Sequence, residues 1–577
     1  MADKSFKDPV YGYIEIPSDL VHAVVDTQAF QRLRHIIQTS YEPLYPSATH
    51  NRFVHSLGVF HLGDFVARTV ENSSFSELNN LIGERRELYR RYLEVYRLAC
   101  LLHDVGHAPF SHTGEEFYVT ASEKGQPKNL HKRIADLLRD PSFAEEYKKN
   151  DDVAAPHELM SVIIGLTTFK NLFKNIAERS FFARAITGYQ FPDNGINIDG
   201  IDNSYLNCLV LLLHSPTIDV DRLDYLIRDA FVTGFKTVNV DYQRLLGGVR
   251  IRRVNDKCVL VFTKRSVSVL ENVIYAYDSE KKWVQKHPAI NYEMRLLNRA
   301  FIAINAKYAK NLRGRTIFCE SALTEHGIVI PESGGLKLRY LSDDDLLFLM
   351  KNIDDDSARK YLNRNERYYP LWKSEAEFCA LFSRASWEAS HSIDDLLRLK
   401  KVFEALMKIL TKNGIAEVND KTVEKLTKDA EDARRGVEPD IMTSKSKQFM
   451  DKAWIYGQKD LLCMFIKVLK SFARMHKTPF HFHIIEGKVF TSGFATDKLP
   501  NLLVELGASG DMVELGKITS VLGSRNNDLP DKVYYLFGKR WNGDKYQLAT
   551  DLVEMLKHFF SENRDEIDRV FYSSHRA

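Results

Sequence analysis

Apolar residues recur at spacings of three and four along much of this chain, with charged residues between them, and that period predicts a mainly α fold. Leu88–His103 (LYRRYLEVYRLACLLH) shows the pattern over four turns. Leu206–Leu213 is apolar nearly all round, which predicts a buried central helix. Runs that suit strands are few and short: Lys257–Phe262 (KCVLVF), Phe480–Ile485 (FHFHII) and Lys532–Phe537 (KVYYLF). A charged stretch from Asn413 to Lys452, including EKLTKDAEDARRGVEPD, predicts a solvated helix followed by a linker. These patterns divide the chain into a helical core (1–320), a helical middle region with the charged linker (321–449) and a smaller mixed α/β C-terminal lobe (450–577).

With 577 residues, 44% hydrophobic and 27% charged, the chain is long enough to bury a sizeable core. Lysine and arginine number 80 against 77 acids, a net charge of +3, so no global field draws the chain to nucleic acid or membrane. Local basic runs, Arg250–Arg253 and Lys264–Arg265, leave a nucleic-acid partner possible without favouring it. Apolar runs such as Leu209–Leu213 fall far short of the roughly 18 residues that span a bilayer, and MADKSFKDPV carries no apolar signal core. The six cysteines form no CxxC and no close pair, which argues against a disulfide framework or a thiolate zinc site. A cytoplasmic protein with no membrane partner is the expectation.

Histidines change the picture. His50, His55, His61, His103, His107 and His112 fall in one short window, where even spacing of the 19 in the chain would leave about two. His50 and His61 read as ordinary core or surface residues. His103-Asp104 ends a strongly apolar helix, where a buried carboxylate needs a partner, and His107 follows by four residues. Asp219, Asp221 and Asp224 crowd into Ile218–Tyr225 (IDVDRLDY), just after the buried apolar helix. Together His55, His103, Asp104 and Asp221 make a mixed nitrogen and oxygen donor set suited to manganese, magnesium, iron or zinc. Ser111 is placed to cap a helix that brings His112 and Glu115 onto one face, where the carboxylate orients the ring and holds its proton. His157-Glu158 is the competing acid or relay. Arg52, three before His55, and Arg222, beside Asp221, are placed to grip phosphate, and Tyr225 and Asp229 stand four apart on the following helix.

Six blocks, FKDPVYGYIEI (Phe6–Ile16), DTQAFQRLRHIIQ (Asp26–Gln38), HNRFVHSLGV (His50–Val59), LLHDVGHAPFSH (Leu101–His112), HELMS (His157–Ser161) and DVDRLDYLIRD (Asp219–Asp229), resemble the HD-domain deoxynucleoside triphosphate triphosphohydrolases, animal and bacterial. The resemblance covers about residues 4–310 and begins almost at Met1, so a SAM domain ahead of it is not expected. It implies an HD-domain core over 1–320 and metal ligands at His55, His103, Asp104 and Asp221. It also implies active-site roles for His107, His112 and His157, and sugar contacts at Gln38, Tyr225 and Asp229. The implied reaction converts a dNTP to a deoxynucleoside and inorganic triphosphate. Positions resembling a nucleotide activator site between subunits are Lys4, Asp26, Gln31, Arg34, Arg244 and Arg265; they imply a homo-oligomer, a dimer or tetramer. Control of dNTP pools or antiviral defence is the role by analogy.

The chain departs from this pattern in Glu271–Ala300, which resembles the helix that closes over the nucleotide. Tyr277 stands where an arginine is usual, and Gln285 where an aromatic ring packs on the deoxyribose. Lys281 or Lys282 is a candidate replacement cation. These departures keep alive two alternatives: an HD phosphohydrolase acting on another nucleotide or a phosphodiester, and a nucleic-acid-binding regulatory protein.

Overall fold

The structure is a computed structural model. It describes residues 3–571 except 76–77, 79–81, 121, 124–125, 128–129, 150–153, 193–194, 197–198, 236–238, 313–314, 332–333, 385–392, 413, 435–451, 489–500, 507–511 and 520–531. The fold is mainly α, as the spacing predicts. It forms two compact units: residues 1–285, 293–359 and 490–526 in the first, and 286–292, 360–489 and 527–577 in the second.

In the first unit, an antiparallel hairpin of β1 (Lys4–Asp8) and β2 (Gly12–Ile16) precedes the helices. Helix α1 (Arg52–Ser74) starts where the Asn51 side chain accepts the Val54 N–H at 3.2 Å. Helix α2 (Arg86–Leu102) buries Tyr89, Tyr92, Leu93, Tyr96 and Leu98–Leu102 along one broad face. Helices α3 (His112–Thr120), α4 (Pro156–Thr168), α5 (Ile176–Thr187), α6 (Asn203–Leu213) and α7 (Val220–Thr233) follow. Helix α6 is the apolar segment of the sequence and is buried almost throughout. Strands β3 (Val249–Val254) and β4 (Lys257–Thr263) pair antiparallel.

Two glycines of the recognised blocks are required by close approach. A Cβ on Gly58 of α1 would overlap the Asp224 carboxylate and the Arg228 guanidinium of α7. One on Gly106 would overlap the α4 backbone at Met160 and Ser161. Instead, the Gly106 N–H donates to Ser161 Oγ at 2.8 Å. Both contacts bring segments that carry candidate site residues together.

Two expectations are corrected. First, the units cut across the divisions at 320 and 449. Strand Leu503–Glu505 pairs in parallel with β4 in the first unit, whereas Tyr369–Pro370 and Glu417–Val418 join Phe482–Lys488 and Lys532–Gly538 in the four-stranded sheet of the second. Pairings between strands so distant in sequence leave no local signature. Second, Glu271–Ala300 is not one helix. It is Val267–Ser279, a wider π turn at Glu280–Gln285, and a new helix from Pro288 to Tyr308. Proline lacks the N–H that continuation needs, and it suits a first helical position. The charged stretch forms the helix Asp420–Arg434, as its pattern predicts, and its Ser/Lys-rich continuation at 435–451 lies outside the described residues.

Gly58→Ala is expected to destabilise the chain by about 1–3 kcal/mol through forced separation of α1 and α7. Chemical denaturation checks this, and an unchanged midpoint would show that the helices do not depend on the approach.

Candidate metal centre and active site

His55 lies one turn into α1, His103 and Asp104 just past the end of α2, and Asp221 in the first turn of α7. The ligand atoms of His55, His103 and Asp221 converge, and the Asp104 carboxylate lies beside the two imidazoles. His55 Nε2 is 3.0 Å from Asp221 Oδ1, 3.3 Å from His103 Nε2 and 3.6 Å from Asp104 Oδ2. His103 Nε2 is 3.6 Å from Asp221 Oδ1 and 3.5 Å from Asp104 Oδ1.

The other end of each ring is already engaged. His55 Nδ1 donates to Asp224 Oδ2 at 2.7 Å, and His103 Nδ1 to the Cys100 carbonyl at 2.9 Å. A carboxylate and a carbonyl only accept, so both Nδ1 atoms carry the proton and both Nε2 atoms present lone pairs to one point. Asp221 adds a carboxylate oxygen there. Such a convergence of donors needs a cation, and the residues fit a divalent metal. Without an ion a proton would be drawn in instead. Burial opposes charge on His55, but hydrogen bonds to Asp221 and Asp224 outweigh it and carry the ring up to about 10. Burial likewise opposes charge on Asp104, yet Arg52 and the neighbouring imidazoles hold it well below the usual carboxylate range.

Asp224 and Arg228 were not among the expected site residues. Burial opposes the Asp224 charge, but Arg228 and the hydrogen bond from His55 bring it down to about 2. Arg228 grips that carboxylate through Nε and Nη2 at 2.9 and 3.0 Å, and reaches Asp8 at 2.9 Å with Nη1. The signal was present in the sequence, since Asp224 and Arg228 stand four apart on one helix.

A second cluster adjoins the first: His107 Nε2 is 3.5 Å from Asp104 Oδ1. Glu115 bridges two imidazoles, with His112 Nδ1 2.7 Å from Oε1 and His157 Nδ1 2.5 Å from Oε2. His107 stacks on His157, centroids 4.0 Å apart. Burial opposes the charge on His157, but the Glu115 carboxylate carries it up to about 9. Burial, then Arg52 and His157, push His107 well below the ordinary imidazole value, so it stays neutral. The His112 side chain is 58% exposed, which makes it the member of the cluster most open to an incoming group.

Several expectations shift in detail. Helix α2 stops at Leu102, so a turn rather than a continuing helix places His107. Ser111 does not cap α3 with its hydroxyl, which donates to the Ile37 carbonyl and accepts from Arg52 Nε. Glu158 does not partner the His157 ring. It accepts the Ala155 N–H at the start of α4 and pairs with His214 at 2.9 Å. His50, read as ordinary, is a buried partner of Asp229 at 2.8 Å.

Arg52 directs its guanidinium to Asp104 at 2.7 Å, to Ser111 and to the Gln38 carbonyl at 3.1 Å. Gln38 is buried, and its Oε1 makes no hydrogen bond. Arg222 lies over the Tyr277 ring at 5.5 Å, and the Lys281 ammonium over the same ring at 5.3 Å. Tyr225 is partly buried, and Gln285 is half-buried in the π turn. Two further side chains with no clear sequence signal hold the loops. Buried Arg32 donates to the carbonyls of Val105, His107 and Leu341. Asp343 accepts the N–H groups of Ile37 and Phe110 at 2.7 and 2.6 Å.

Of the residues resembling an activator site, Lys4 pairs with Asp26 at 3.6 Å. Arg34 donates to Gln31, which donates to the Val25 carbonyl. Arg244 lies in the short helix Tyr242–Leu246 and Arg265 in the turn after β4.

The HD-domain family pattern matches residues 52–164, the span that holds His55, His103, Asp104 and both imidazole partners of Glu115. Residues 52–164 thus carry an HD domain. The chain is 27% identical over 306 residues to the deoxynucleoside triphosphate triphosphohydrolase SAMHD1 of Danio rerio, covering 52% of this chain and 44% of that one. It is similar to the uncharacterized MG461 of Mycoplasma genitalium (27%, covering 48% and 54%) and to the uncharacterized YwfO of Bacillus subtilis (26%, covering 68% and 77%). The match thus spans about half the length of most of these curated relatives. Among the described residues, no helix is long and apolar enough to cross a membrane.

Glu115→Gln tests the bridged pair. The folded-state value of His157 is raised, so the stability it contributes is full below its ordinary 6.5 and is lost as pH rises through about 9. Glu115 is depressed, so its share is present above its ordinary 4.5 and is lost on acidification. The stability gap between wild type and Glu115→Gln is therefore expected to be widest between pH 4.5 and 6.5 and to close above about 9. Denaturation at a series of pH values measures it; a pH-independent gap excludes the ion pair.

Proposed function

We propose that this HD-domain protein is a divalent-metal-dependent dNTP triphosphohydrolase that releases a deoxynucleoside and inorganic triphosphate. One observation carries the proposal: a donor set fit for a metal adjoins, through Asp104 and His107, an exposed imidazole held by a buried carboxylate. The naming of the Danio rerio relative as a deoxynucleoside triphosphate triphosphohydrolase supports the substrate class.

His55, His103, Asp104 and Asp221 hold manganese, magnesium, iron or zinc. The bound ion would acidify an attacking water and neutralise charge on the α-phosphate. The remaining work falls to the chain itself. Cleavage between the α-phosphorus and the 5′ oxygen leaves a poor alkoxide that needs a proton, and His112 supplies it from Nε2 while Glu115 holds Nδ1. Charged His157 and neutral His107 line the phosphate path behind it. Arg222 faces the phosphates, with Lys281 standing in for the cation that Tyr277 displaces. Arg52 acts by fixing Asp104 and the Gln38 loop. Gln38, Tyr225 and Asp229 address the sugar. The patch of Lys4, Asp26, Gln31 and Arg34, with Arg244 and Arg265, serves an activating nucleotide in a homo-oligomer. Draining dNTPs in the cytoplasm would limit viral or phage replication.

Incubation with each dNTP and NTP, singly and mixed, with products separated by chromatography, tests this. Deoxynucleoside plus triphosphate is the expected outcome, and pyrophosphate alone overturns it. Ribonucleotide turnover would mean that Gln285 has opened the sugar gate to a 2′ hydroxyl. His112→Ala is expected to lower kcat by about 10²–10⁴-fold with the metal content unchanged. Asp221→Asn is expected to lose both metal and turnover. Retention of protection against infection by Asp221→Asn would separate that role from hydrolysis.

A further inference from the structure

The strand run Phe480–Ile485 carries chemistry that the HD centre does not use. His483 lies on the strand Phe482–Lys488 and His481 immediately before it, with their rings stacked at 5.3 Å between centroids. Glu417, on the neighbouring antiparallel strand, lies directly opposite His483. One ligand atom from each of the three falls within 4.8 Å of the others. All three belong to the second unit, as do the aromatic rings around them.

We propose that Glu417, His481 and His483 form a second divalent-cation site, of zinc type, separate from the HD centre. The separations leave room for an ion between the imidazoles and the carboxylate. His481 Nε2 is 3.5 Å from Glu417 Oε2, and His483 Nδ1 is 3.4 Å from Oε1. Charge-assisted imidazole–carboxylate hydrogen bonds are shorter, about 2.7–2.9 Å. The Glu115 pairs of this same chain are at 2.5 and 2.7 Å. Ligands held about 2.0–2.1 Å from a tetrahedral zinc stand about 3.3 Å from one another. The two imidazole–carboxylate separations around Glu417 are close to that spacing, as those of the His55, His103 and Asp221 group are at 3.0–3.6 Å.

The surroundings are those of a ligating histidine. His481 Nδ1 is paired with the Tyr368 hydroxyl at 2.9 Å, which turns Nε2 toward the carboxylate. That Nε2 is buried and makes no hydrogen bond. His483 is 2% exposed, and the rings of Tyr368 and Tyr292 lie edge-on to it at 4.7 and 5.5 Å. The Tyr292 hydroxyl accepts the Tyr368 N–H at 3.1 Å, fixing the wall of the site. Two imidazoles and one carboxylate leave a fourth position for water. The bound ion pins the two-residue edge strand Glu417–Val418 to the sheet, joining segments far apart in sequence.

The test uses the full chain, stripped with chelator and given zinc alone, with the metal counted by mass spectrometry. A His103→Ala/Asp104→Ala variant, which disables the HD centre, is expected to retain one zinc per chain and a zinc-dependent rise in Tm. Adding His481→Gln or Glu417→Gln is expected to abolish both. Cobalt in the retained site is expected to give the intense visible absorption of tetrahedral coordination. No zinc in the HD-disabled chain, or a zinc count unchanged by both further variants, overturns the proposal. Should the HD-disabled chain fail to fold, His481→Gln on the wild-type background must lose one zinc equivalent, and an unchanged count there overturns it equally.

Discussion

Asp224 has no exposed surface, yet it is charged, and it binds His55 on one side and Arg228 on the other. An isolated carboxylate in that position would be too costly to bury, so its two partners are obligatory. Arg228 in turn reaches Asp8 in the N-terminal hairpin. The chain Asp8–Arg228–Asp224–His55 therefore ties β1, α7 and α1 together and fixes the proton of His55 on Nδ1. Without that proton placement, Nε2 would not present its lone pair to Asp221 and His103. The metal donor set thus rests on a buried ion pair, and the ion pair rests on Gly58, whose missing Cβ admits it.

The same logic governs the neighbouring loops. Residues 103–111 leave the helix after α2, and Phe110 and Ser111 take positive φ values of 56° and 53°. Backbone so placed is unfavourable for residues with a Cβ and persists only when the surroundings over-determine it. Arg32, Asp343, Arg52 and Ser161 supply that constraint by binding Val105, His107, Phe110, Ser111 and Gly106. The arrangement sets a rigid turn between the metal donors and the Glu115 cluster. Glu115 then assigns contrasting states to two similar rings: it keeps His157 charged, while His107, 4.0 Å away, is neutral.

The two groups of histidines and carboxylates differ in a way that bears on their use. Around Glu115 the pairs are close and hydrogen-bonded, suited to holding and releasing a proton. Around Asp221, and around Glu417, the atoms stand further apart yet within reach of one ion, a spacing suited to a cation. One chain therefore separates proton handling from metal holding by about half an ångström to an ångström of side-chain spacing.

Much of the candidate site was legible because its chemistry is carried by residue types that cluster in short blocks. His55, His103-Asp104, Asp221, and His112 with Glu115 each stand in a local pattern, and the helices around them follow a period that needs no tertiary information. The buried helix Asn203–Leu213 and the short strands were legible for the same reason. What the tertiary structure alone decided is partnership. Which of Glu115 and Glu158 serves His157, where the Ser111 hydroxyl goes, that His50 holds Asp229, and that Leu503–Glu505 completes a sheet with β4 all depend on segments far apart in sequence. Local spacing determines a side chain's face and its chemistry; its partner is set by whichever distant group must be buried beside it, because a buried charge or polar atom has to be satisfied by what packing brings within reach.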